Sequence, residues 1–500
     1  MVSESRLFRS AVIIEAHNFY KTAHVWKAQR ARTVVIKNFI QKLSLLLLLV
    51  ASATSATAQA QGQAPAPGQA PAQAQSQAQA QAQQKLPNPL NLSQAVNIAL
   101  SNNSVIREAR ARLDQASGRY AQSRSTLLPQ LEARARQAYL TINLKGLGID
   151  IPSVPQGNTP PFGSMWAGVE LKQDLLNIAN REAWRSSSAK QDSSRLMIED
   201  AREIVVLDVV ATYLQALSTK SLRDSLAEQT KLATDLYNLT EDRVKHGISS
   251  KLEANRALQQ VNSLQQQQQE AEQNYVAAKL NLANTLQTSI TADFDVEDAS
   301  AYGTEAPVDR TTAVGSALDS RPDFRASKST VHAAELQIKS AKAYRYPTLS
   351  VGGADAQSGE SPVHNQNTYA VYGTLNFPIF TGGRIRGQVQ EAQGVLREAQ
   401  ANQDKLRTQI ETDVLKAISG VEWARKEVET SAANVKLSRE EVELSRQRFA
   451  QGIVDNTEVV NAQDRVSKAD DARVRAMYTL GLARANLARA MGQAEKTYRK

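Results

Sequence analysis

The sequence contains no cysteine, which excludes disulfide bonds, thiol catalysis, thiolate metal sites and a lipid anchor on an N-terminal cysteine. Histidine is also scarce, because only His246, His332 and His364 lie beyond residue 60. The chain has neither an H-E-x-x-H zinc motif nor the G-x-x-x-x-G-K loop that cradles nucleotide phosphates. The sequence therefore gives no support to a catalytic, metal or cofactor site.

A strong charge of one sign is also missing once the N-terminus is set aside. The whole chain carries +9, but the first 60 residues hold eight Lys or Arg and two Asp or Glu. They contribute +6, which leaves only +3 for the rest of the chain. The high isoelectric point thus comes mostly from the N-terminus, and nucleic-acid binding loses its main support.

The N-terminus has the order of a secretory signal peptide. Basic residues from Arg30 to Lys42 precede the apolar run Leu43 to Val50, and small residues follow up to Ala60. The apolar run is too short to span a bilayer as a helix. We predict a signal peptide with a long lead over residues 1–58. The next segment, 59–88, alternates Gln, Ala, Pro and Gly and predicts a disordered tail.

Glycine and proline are sparse in the remaining chain, which favours a mostly α fold. The longest predicted helix runs from Arg384 to Gln451 and contains no proline. At a rise of 1.5 Å per residue it extends for about 100 Å. An apolar residue recurs along it at every seventh position and predicts a coiled-coil seam. The members of this seam are Val414, Val421, Val428, Val435, Val442 and Phe449.

The chain repeats itself. Residues 95–100 match 313–318 at an offset of 218, which also pairs Pro129 with Pro347. Further on, the motif Arg-x-x-x-Gly-Ile occurs at Arg243 and again at Arg448, an offset of 205. We therefore divide the chain into a first repeat (89–288), a linker or equatorial segment (289–309), a second repeat (310–492) and a tail (493–500).

Each repeat is predicted to contain a helix, two strands, a long helix and a returning helix. The first helices are expected over Ser93 to Ser125 and Thr311 to Ala343. The long helices are expected from about Arg181 to His246 and from Arg384 to Gln451, and the returning helices end near Gln287 and Met491. The predicted strands are Leu131 to Ile142, Met165 to Leu176, Leu349 to Ala356 and Tyr369 to Phe380.

The four strands alternate loosely between apolar and polar residues, which fits strands of a membrane barrel. Tyr139, Trp166, Tyr369 and Tyr372 are candidates for its interfacial aromatic belts. Four strands cannot close a barrel, and open sheet edges are not viable in lipid. If these strands lie in a membrane, several chains must pool them, and three chains supply twelve.

These features resemble the TolC-type outer-membrane efflux proteins from about Leu90 to Gly492. The resemblance rests on the duplication, the Pro-x-Leu entries at Pro129 and Pro347, and the stretch LNFPIFTGGR from Leu375 to Arg384. It also rests on the paired tips RVKHGI (243–248) and RFAQGI (448–453). It implies a homotrimer with a twelve-strand outer-membrane barrel and a long α-helical coiled-coil tunnel through the periplasm. A belt around the tunnel is implied for about Thr288 to Asp309 plus the C-terminal end.

The function that the resemblance implies is a passive exit duct of a tripartite efflux or type I secretion system. The duct would be opened by a periplasmic adaptor protein and an inner-membrane pump, which would also supply the energy. Two alternatives stay open: a periplasmic adaptor and a structural coiled-coil envelope protein. An adaptor is expected to have one hairpin with flanking β domains, and a structural coiled coil needs no strand pairs.

Several residues are candidates for the site. The resemblance implies that acids six positions beyond the tip glycine narrow a periplasmic aperture, and these are Glu253 and Glu458. The position three residues later is Asn461 in one repeat and Arg256 in the other. Three chains would bring six such carboxylates together in a cation-favouring ring. The alternative is that each glutamate only solvates an outer helix face.

The tips themselves are predicted to be turns, since glycine accepts the positive φ that ends many helices. The resemblance adds adaptor docking at Gly247, Ile248, Ser249, Gly452, Ile453 and Val454. The connections between strands and helices are expected to turn at Pro129, Pro347, Gly382 and Gly383.

Overall fold

The computed structural model describes residues 86–149, 157–288, 293–297 and 309–499. The predicted signal peptide, most of the predicted tail and most of the predicted linker lie outside the described residues. Of the predicted N-terminal tail only residues 86–88 are described, and Leu86 is already buried there.

The two halves of the chain contain the same elements in the same order. The first half comprises α1 (Leu92–Asn102), α2 (Ser104–Ser125), β1 (Gln130–Leu140), β2 (Phe162–Leu176), α3 (Ile178–Lys245) and α4 (Lys251–Leu286). The second half comprises α5 (Arg310–Ser320), α6 (Pro322–Ala343), β3 (Thr348–Ser361), β4 (His364–Asn376), α7 (Arg384–Ala450) and α8 (Asn456–Ala490). A short helix, α9 (Ala494–Tyr498), follows. The mostly α fold with two tandem repeats is confirmed.

The prediction of one continuous first helix in each repeat was wrong, because each is broken in two. Asn103 is extended, with φ −64° and ψ 134°, and its side chain caps α2 by accepting from the amide of Val105. Arg321 occupies the equivalent position and is extended as well, with Pro322 as the next residue. Proline disfavours a helical conformation in the residue before it, so it ends α5 at this point.

A buried charge cluster fixes the break in the second repeat. Arg321 forms an ion pair with Asp323 at 2.6 Å and lies 3.7 Å from Asp413 on α7. Arg489 on α8 pairs with Asp200 on α3 at 2.6 Å. Burial raises the pKa of Asp200 in spite of Arg489. Burial acts on Asp323 in the same direction, but Arg321 outweighs it and lowers the pKa of Asp323. The cluster therefore joins α3, α6, α7 and α8 through charges.

The four strands form one antiparallel sheet in the order β1-β2-β3-β4, so the two repeats meet where β2 pairs with β3. The β3–β4 hairpin is longer at its turn than predicted, because β3 continues to Ser361 and β4 starts at His364. The polar composition of 357–367, with one glycine and one proline, indicated a loop, but a two-residue turn brings most of these residues into register. At the other end β4 stops at Asn376, four residues before the predicted Phe380.

The long helices α3 and α7 contain 68 and 67 residues. The predicted seam on α7 is confirmed, since Val414, Val421, Val435 and Phe449 are buried and the other two valines are half-buried. In the part of the chain that the structure describes, no helix is both long and apolar enough to cross a membrane.

The largest core lies beside the middle of α3. It contains residues from α1, α3, α4 and α8 together with Leu90 and Val296, which form an isolated parallel bridge. Lys220 on α3 donates to Asp295 at 2.9 Å and to the carbonyl of Val296 at 2.7 Å, and Tyr275 on α4 hydrogen-bonds to Asp295. Residues 293–297 of the predicted linker are therefore packed against both helices of the first hairpin.

The segment 493–500 was predicted as a tail, but its described part, 493–499, contains α9 and docks on α3. The carboxylate of Glu203 accepts hydrogen bonds from the amides of Ala494 at 2.7 Å and Glu495 at 3.2 Å. Arg202 also forms an ion pair with Glu495. The amides at the start of a helix have no partner within the helix, so a carboxylate placed there holds it in position.

Candidate functional site: the helix tips and the strand–helix corners

The two helix tips have the same backbone structure. Gly247 and Gly452 adopt φ +72° and +74°, the left-handed region that favours glycine. The amide of Ile248 donates to the carbonyl of Arg243 at 2.8 Å, and the amide of Ile453 donates to the carbonyl of Arg448 at 3.0 Å. This six-residue closure satisfies the last carbonyls of α3 and α7. The predicted turns are present in both repeats.

The residues after each glycine differ in burial. Ile248 and Ile453 are 67% and 61% exposed, so each tip presents one isoleucine to its surroundings. Ser249 is half-buried. Val454 is half-buried too, because it packs on a small core formed by Leu236, Phe449 and Val459. Each tip thus combines an exposed apolar side chain with a fixed backbone.

Three contacts tie the two tips together. Arg243 donates to the carbonyl of Phe449 at 2.9 Å, and its guanidinium lies 4.7 Å from the centre of the Phe449 ring. The buried Asn456 at the start of α8 donates to the carbonyl of Glu253 at 3.0 Å. Arg256 donates to Thr457 at 3.0 Å. The first turns of α4 and α8 therefore lie side by side.

Both aperture candidates lie in these first turns. Glu253 and Glu458 are the third residues of α4 and α8, behind the capping residues Ser250 and Asp455. A carboxylate at this position also stabilises a helix N-terminus, which is a local role that the sequence alternatives did not include. Asn461 is exposed one turn further along α8. The structure thus brings the acids of both repeats to one end of the helices.

The two acids differ in their partners. Arg448 forms an ion pair with Glu458 at 2.7 Å, with both side chains partly exposed. The equivalent arginine, Arg243, is directed to Phe449 instead, and none of the ion pairs among the described residues includes Glu253. Sequence reasoning missed these roles of Arg243 and Arg448. The repeated spacing of arginine and glycine marked the two arginines as equivalent positions, but it gave no indication that their partners differ.

The four residues predicted for the strand–helix corners lie at those corners. Pro129 and Pro347 directly precede β1 and β3. Gly382 and Gly383 both have positive φ, 56° and 86°, and Gly383 caps the start of α7. The first repeat has no glycine pair at this corner. Asn177 caps α3 there by accepting from the amide of Asn180.

The four belt candidates lie on two different faces of the sheet. Tyr139 and Tyr369 are 80% and 67% exposed on one face. Trp166 and Tyr372 lie on the opposite face, where the Tyr372 hydroxyl donates to Glu170 at 2.8 Å. Tyr139 and Tyr369 fit a lipid-facing belt, because their face carries most of the large aliphatic side chains of the strands. The face of Trp166 and Tyr372 carries the ion pair of Glu170 instead.

Comparisons with known proteins agree with this architecture. The family model described as outer membrane efflux protein matches residues 95–287 and 313–493. The chain is 26% identical over 410 residues to the pyoverdine export outer membrane protein OpmQ of Pseudomonas putida, covering 80% of this chain and 85% of OpmQ. It is 24% identical over 388 residues to outer membrane protein OprJ of Pseudomonas aeruginosa, covering 74% and 78% of the two chains.

Solved structures show the same fold. The CmeC outer membrane channel of Campylobacter jejuni superposes with a TM-score of 0.69 at 20% identity, covering 81% of this chain and 86% of CmeC. The outer-membrane channel OprN superposes with a TM-score of 0.70 at 19% identity, covering 80% and 90% of the two chains. The resemblance stated from the sequence is confirmed. Because the family model covers both repeats, the chain belongs to the outer membrane efflux protein family and is an outer-membrane channel that serves as an exit duct for efflux.

Proposed function

We propose that three copies of this chain form the duct. In the described residues the sheet has two free edges, β1 and β4, and unpaired edges are not tolerated in lipid. Pairing of β4 in one copy with β1 in the next closes a twelve-strand barrel and removes every edge. The long helices then extend together from the barrel as a tunnel through the periplasm. Within each copy, residues 89–288 and 310–492 act as the two repeats, joined by 289–309.

The helix tips are the proposed docking site for a periplasmic adaptor, and an inner-membrane pump supplies the energy. The observation that supports this is the equivalence of the two tips. Each presents an exposed isoleucine, Ile248 or Ile453, beside a glycine with positive φ. A trimer would present six such tips around one axis. A helical partner could bind all of them with one repeated contact.

Glu253 and Glu458 are proposed to form the periplasmic aperture, with Asn461 one turn behind them. Support comes from the contact between Asn456 and the Glu253 carbonyl, which places the first turns of α4 and α8 together. The ion pair between Arg448 and Glu458 offsets one of the two acids in each copy. The effective negative charge of the aperture is therefore carried mainly by Glu253.

The duct is proposed to be passive, with no chemical reaction of its own. Relatives named for pyoverdine export and for toluene efflux are both similar in sequence to this chain over 80% of its length, so we assign the choice of cargo to the pump. The test is membrane fractionation combined with a gel run with and without heating. An integral outer-membrane trimer that dissociates only on heating supports the proposal. A chain extracted from the periplasm as a monomer contradicts it.

A further inference from the structure

The sheet has one apolar and one polar face. Residues that pair across antiparallel strands point to the same side, so the register assigns each side chain to a face. The apolar face carries Leu131, Leu171, Val169, Val351, Val371 and Leu375. The polar face carries Glu132, Arg134, Arg136, Glu170 and Lys172. In a barrel the first face meets lipid and the second lines the water-filled interior.

Two acids of the polar face, Glu132 and Glu170, share one arginine within the sheet. Arg134 forms an ion pair with Glu132 and lies 3.7 Å from Glu170 on the neighbouring strand. The hydroxyl of Tyr372 donates to Glu170 at 2.8 Å from β4, two strands away. The Tyr372 ring reaches this position by lying across Gly352 of β3, where a Cβ atom would be 2.4 Å from the ring. Arg134 therefore already has these two carboxylates as partners.

Arg136 lies one position further along the same face and is exposed. It pairs in register with Trp166 on β2, and none of the ion pairs among the described residues includes it. On β3, Asp355 lies on the apolar face, and Glu360 lies in the irregular part next to the turn and takes part in none of the described ion pairs. Arg136 is thus an unpaired positive charge on this face. Lys172 is likewise outside the described ion pairs, but it lies six residues along β2 from Trp166, the register partner of Arg136.

A neighbouring copy does not supply a counter-charge to Arg136. β4 contains no Asp, Glu, Lys or Arg, and its titratable side chains are His364, Tyr369 and Tyr372. If β4 of the next copy pairs with β1, the residues that it brings beside Arg136 are uncharged. Three guanidinium groups would therefore lie at one level of the barrel interior, each next to an indole ring.

We propose that Arg136 and Trp166 form a contact site for organic anions, solutes that carry carboxylate or phosphate groups, inside the barrel. The inference rests on the proposed function, because the polar face lines a pore only in the assembled channel. A guanidinium is always charged and presents a planar fork that matches carboxylate and phosphate oxygens. The indole beside it offers an apolar surface to the flat organic part of the same solute. The site prefers anions, whereas the acidic helix tips at the other end prefer cations.

The test is channel block by a flat polyanion. The purified full-length protein is placed in a phosphatidylcholine bilayer, which contains no anionic lipid that could supply phosphate in place of the solute. Benzenehexacarboxylate is added on the barrel side and the concentration for half-block is measured. We expect block of the wild type and a rise of about tenfold or more in that concentration for Arg136→Gln. Arg136→Lys should fall between the two, since it keeps the charge without the fork.

The control is Arg119→Gln, which removes an exposed arginine from α2 and should leave the block unchanged. The inference is overturned if the wild type conducts normally but is not blocked, or if the wild type and Arg136→Gln are blocked equally. Either result leaves the proposed channel function unaffected. If Arg136→Gln does not assemble, the wild type is compared with Arg136→Lys instead. Equal block of these two channels contradicts a contact that needs the planar fork of the guanidinium group. A wild type that conducts no current contradicts the proposed function itself.

Discussion

The guanidinium of Arg243 lies 4.7 Å from the centre of the Phe449 ring and also donates to the Phe449 carbonyl at 2.9 Å. The contact joins the end of α3 to the end of α7, so it links the hairpins of the two repeats. Its equivalent in the second repeat, Arg448, pairs with Glu458 within its own hairpin. Two residues related by duplication thus have different partners, and only one of them holds the tips together.

Arg243→Gln should loosen the tips and raise the conductance of the purified channel. The half-buried cation–ring contact and the charged hydrogen bond together contribute about 1–3 kcal/mol to keeping α3 on α7. The measurement is single-channel conductance, and a severalfold increase is expected. Lys245→Gln is the control, because Lys245 is exposed and pairs only with Asp242 three residues before it. Equal conductance of Arg243→Gln and the wild type would show that the contact does not hold the aperture.

Arg448→Gln should expose the charge of Glu458 and increase the cation preference of the channel. The Arg448–Glu458 pair offsets this carboxylate in the wild type, and an acidic ring favours cations. The measurement is the reversal potential in a salt gradient. Adding Glu458→Gln should cancel the increase, and the double variant Glu253→Ala, Glu458→Ala should fall below the wild type. A double alanine variant with unchanged conductance and selectivity would rule out the aperture role.

Gly452→Val should abolish efflux while trimers still form. The substitution forces a β-branched residue into φ +74°, which costs roughly 1–2 kcal/mol and unwinds the tip without a steric clash. Gly420→Ala is the control: Gly420 lies inside α7 with open space around it, so alanine should be neutral or slightly stabilising. The measurement is cargo efflux from cells alongside trimer yield. Normal efflux by Gly452→Val would argue against docking at the tips.

Gly352→Val should displace Tyr372 and separate its hydroxyl from Glu170. A Cβ at this position lies 2.4 Å from the Tyr372 ring, so the ring must swing away. We expect a lower trimer yield and a lower temperature of trimer dissociation, measured on gels after graded heating. Gly373→Ala on β4 is the control, because nothing lies within 4 Å of its added Cβ. Equal dissociation temperatures for the wild type and Gly352→Val would mean that the cross-strand contact contributes nothing to the sheet.

Asp295→Asn should lower thermal stability at neutral pH, and the difference should disappear in acid. Partial burial acts to raise the pKa of Asp295, but hydrogen bonds from Tyr275 and Lys220 outweigh it and lower the pKa. The stabilisation is therefore present above the ordinary value of about 3.9 and is lost as the pH falls through the lower, folded value. Melting temperatures from pH 6 to pH 2 measure it, with Asp114→Asn as an exposed control. A pH-independent difference would contradict this linkage.

The sequence predicted the features that depend on local patterns. The valine seam and the paired glycine tips follow from helical periodicity and from the φ that glycine permits. The helix breaks were missed because the predicted helices were carried across two local signals. Asn103 is a preferred helix-capping residue, and Pro322 disfavours a helical conformation at Arg321. The extension of the β3–β4 hairpin was missed because its polar residues gain their order from pairing across the strands.

Contacts between repeats could not be predicted. Arg243 and Phe449 are 206 residues apart, and their meeting depends on how two hairpins pack. The duplication even suggested equal roles for Arg243 and Arg448, which the structure does not show. The same limit applies to Tyr372 and Glu170, since their contact requires the missing side chain of Gly352 on the strand between them.

We propose that this chain forms an outer-membrane trimer that conducts along its helical tunnel. The most direct measurement reconstitutes the protein, purified from outer membranes, into a planar bilayer and compares the unheated oligomer with the heat-dissociated chain. Only the unheated oligomer should give discrete channels, and their conductance should increase when Arg243 is replaced by glutamine. A chain that stays monomeric before heating and gives no discrete channels would contradict this proposal.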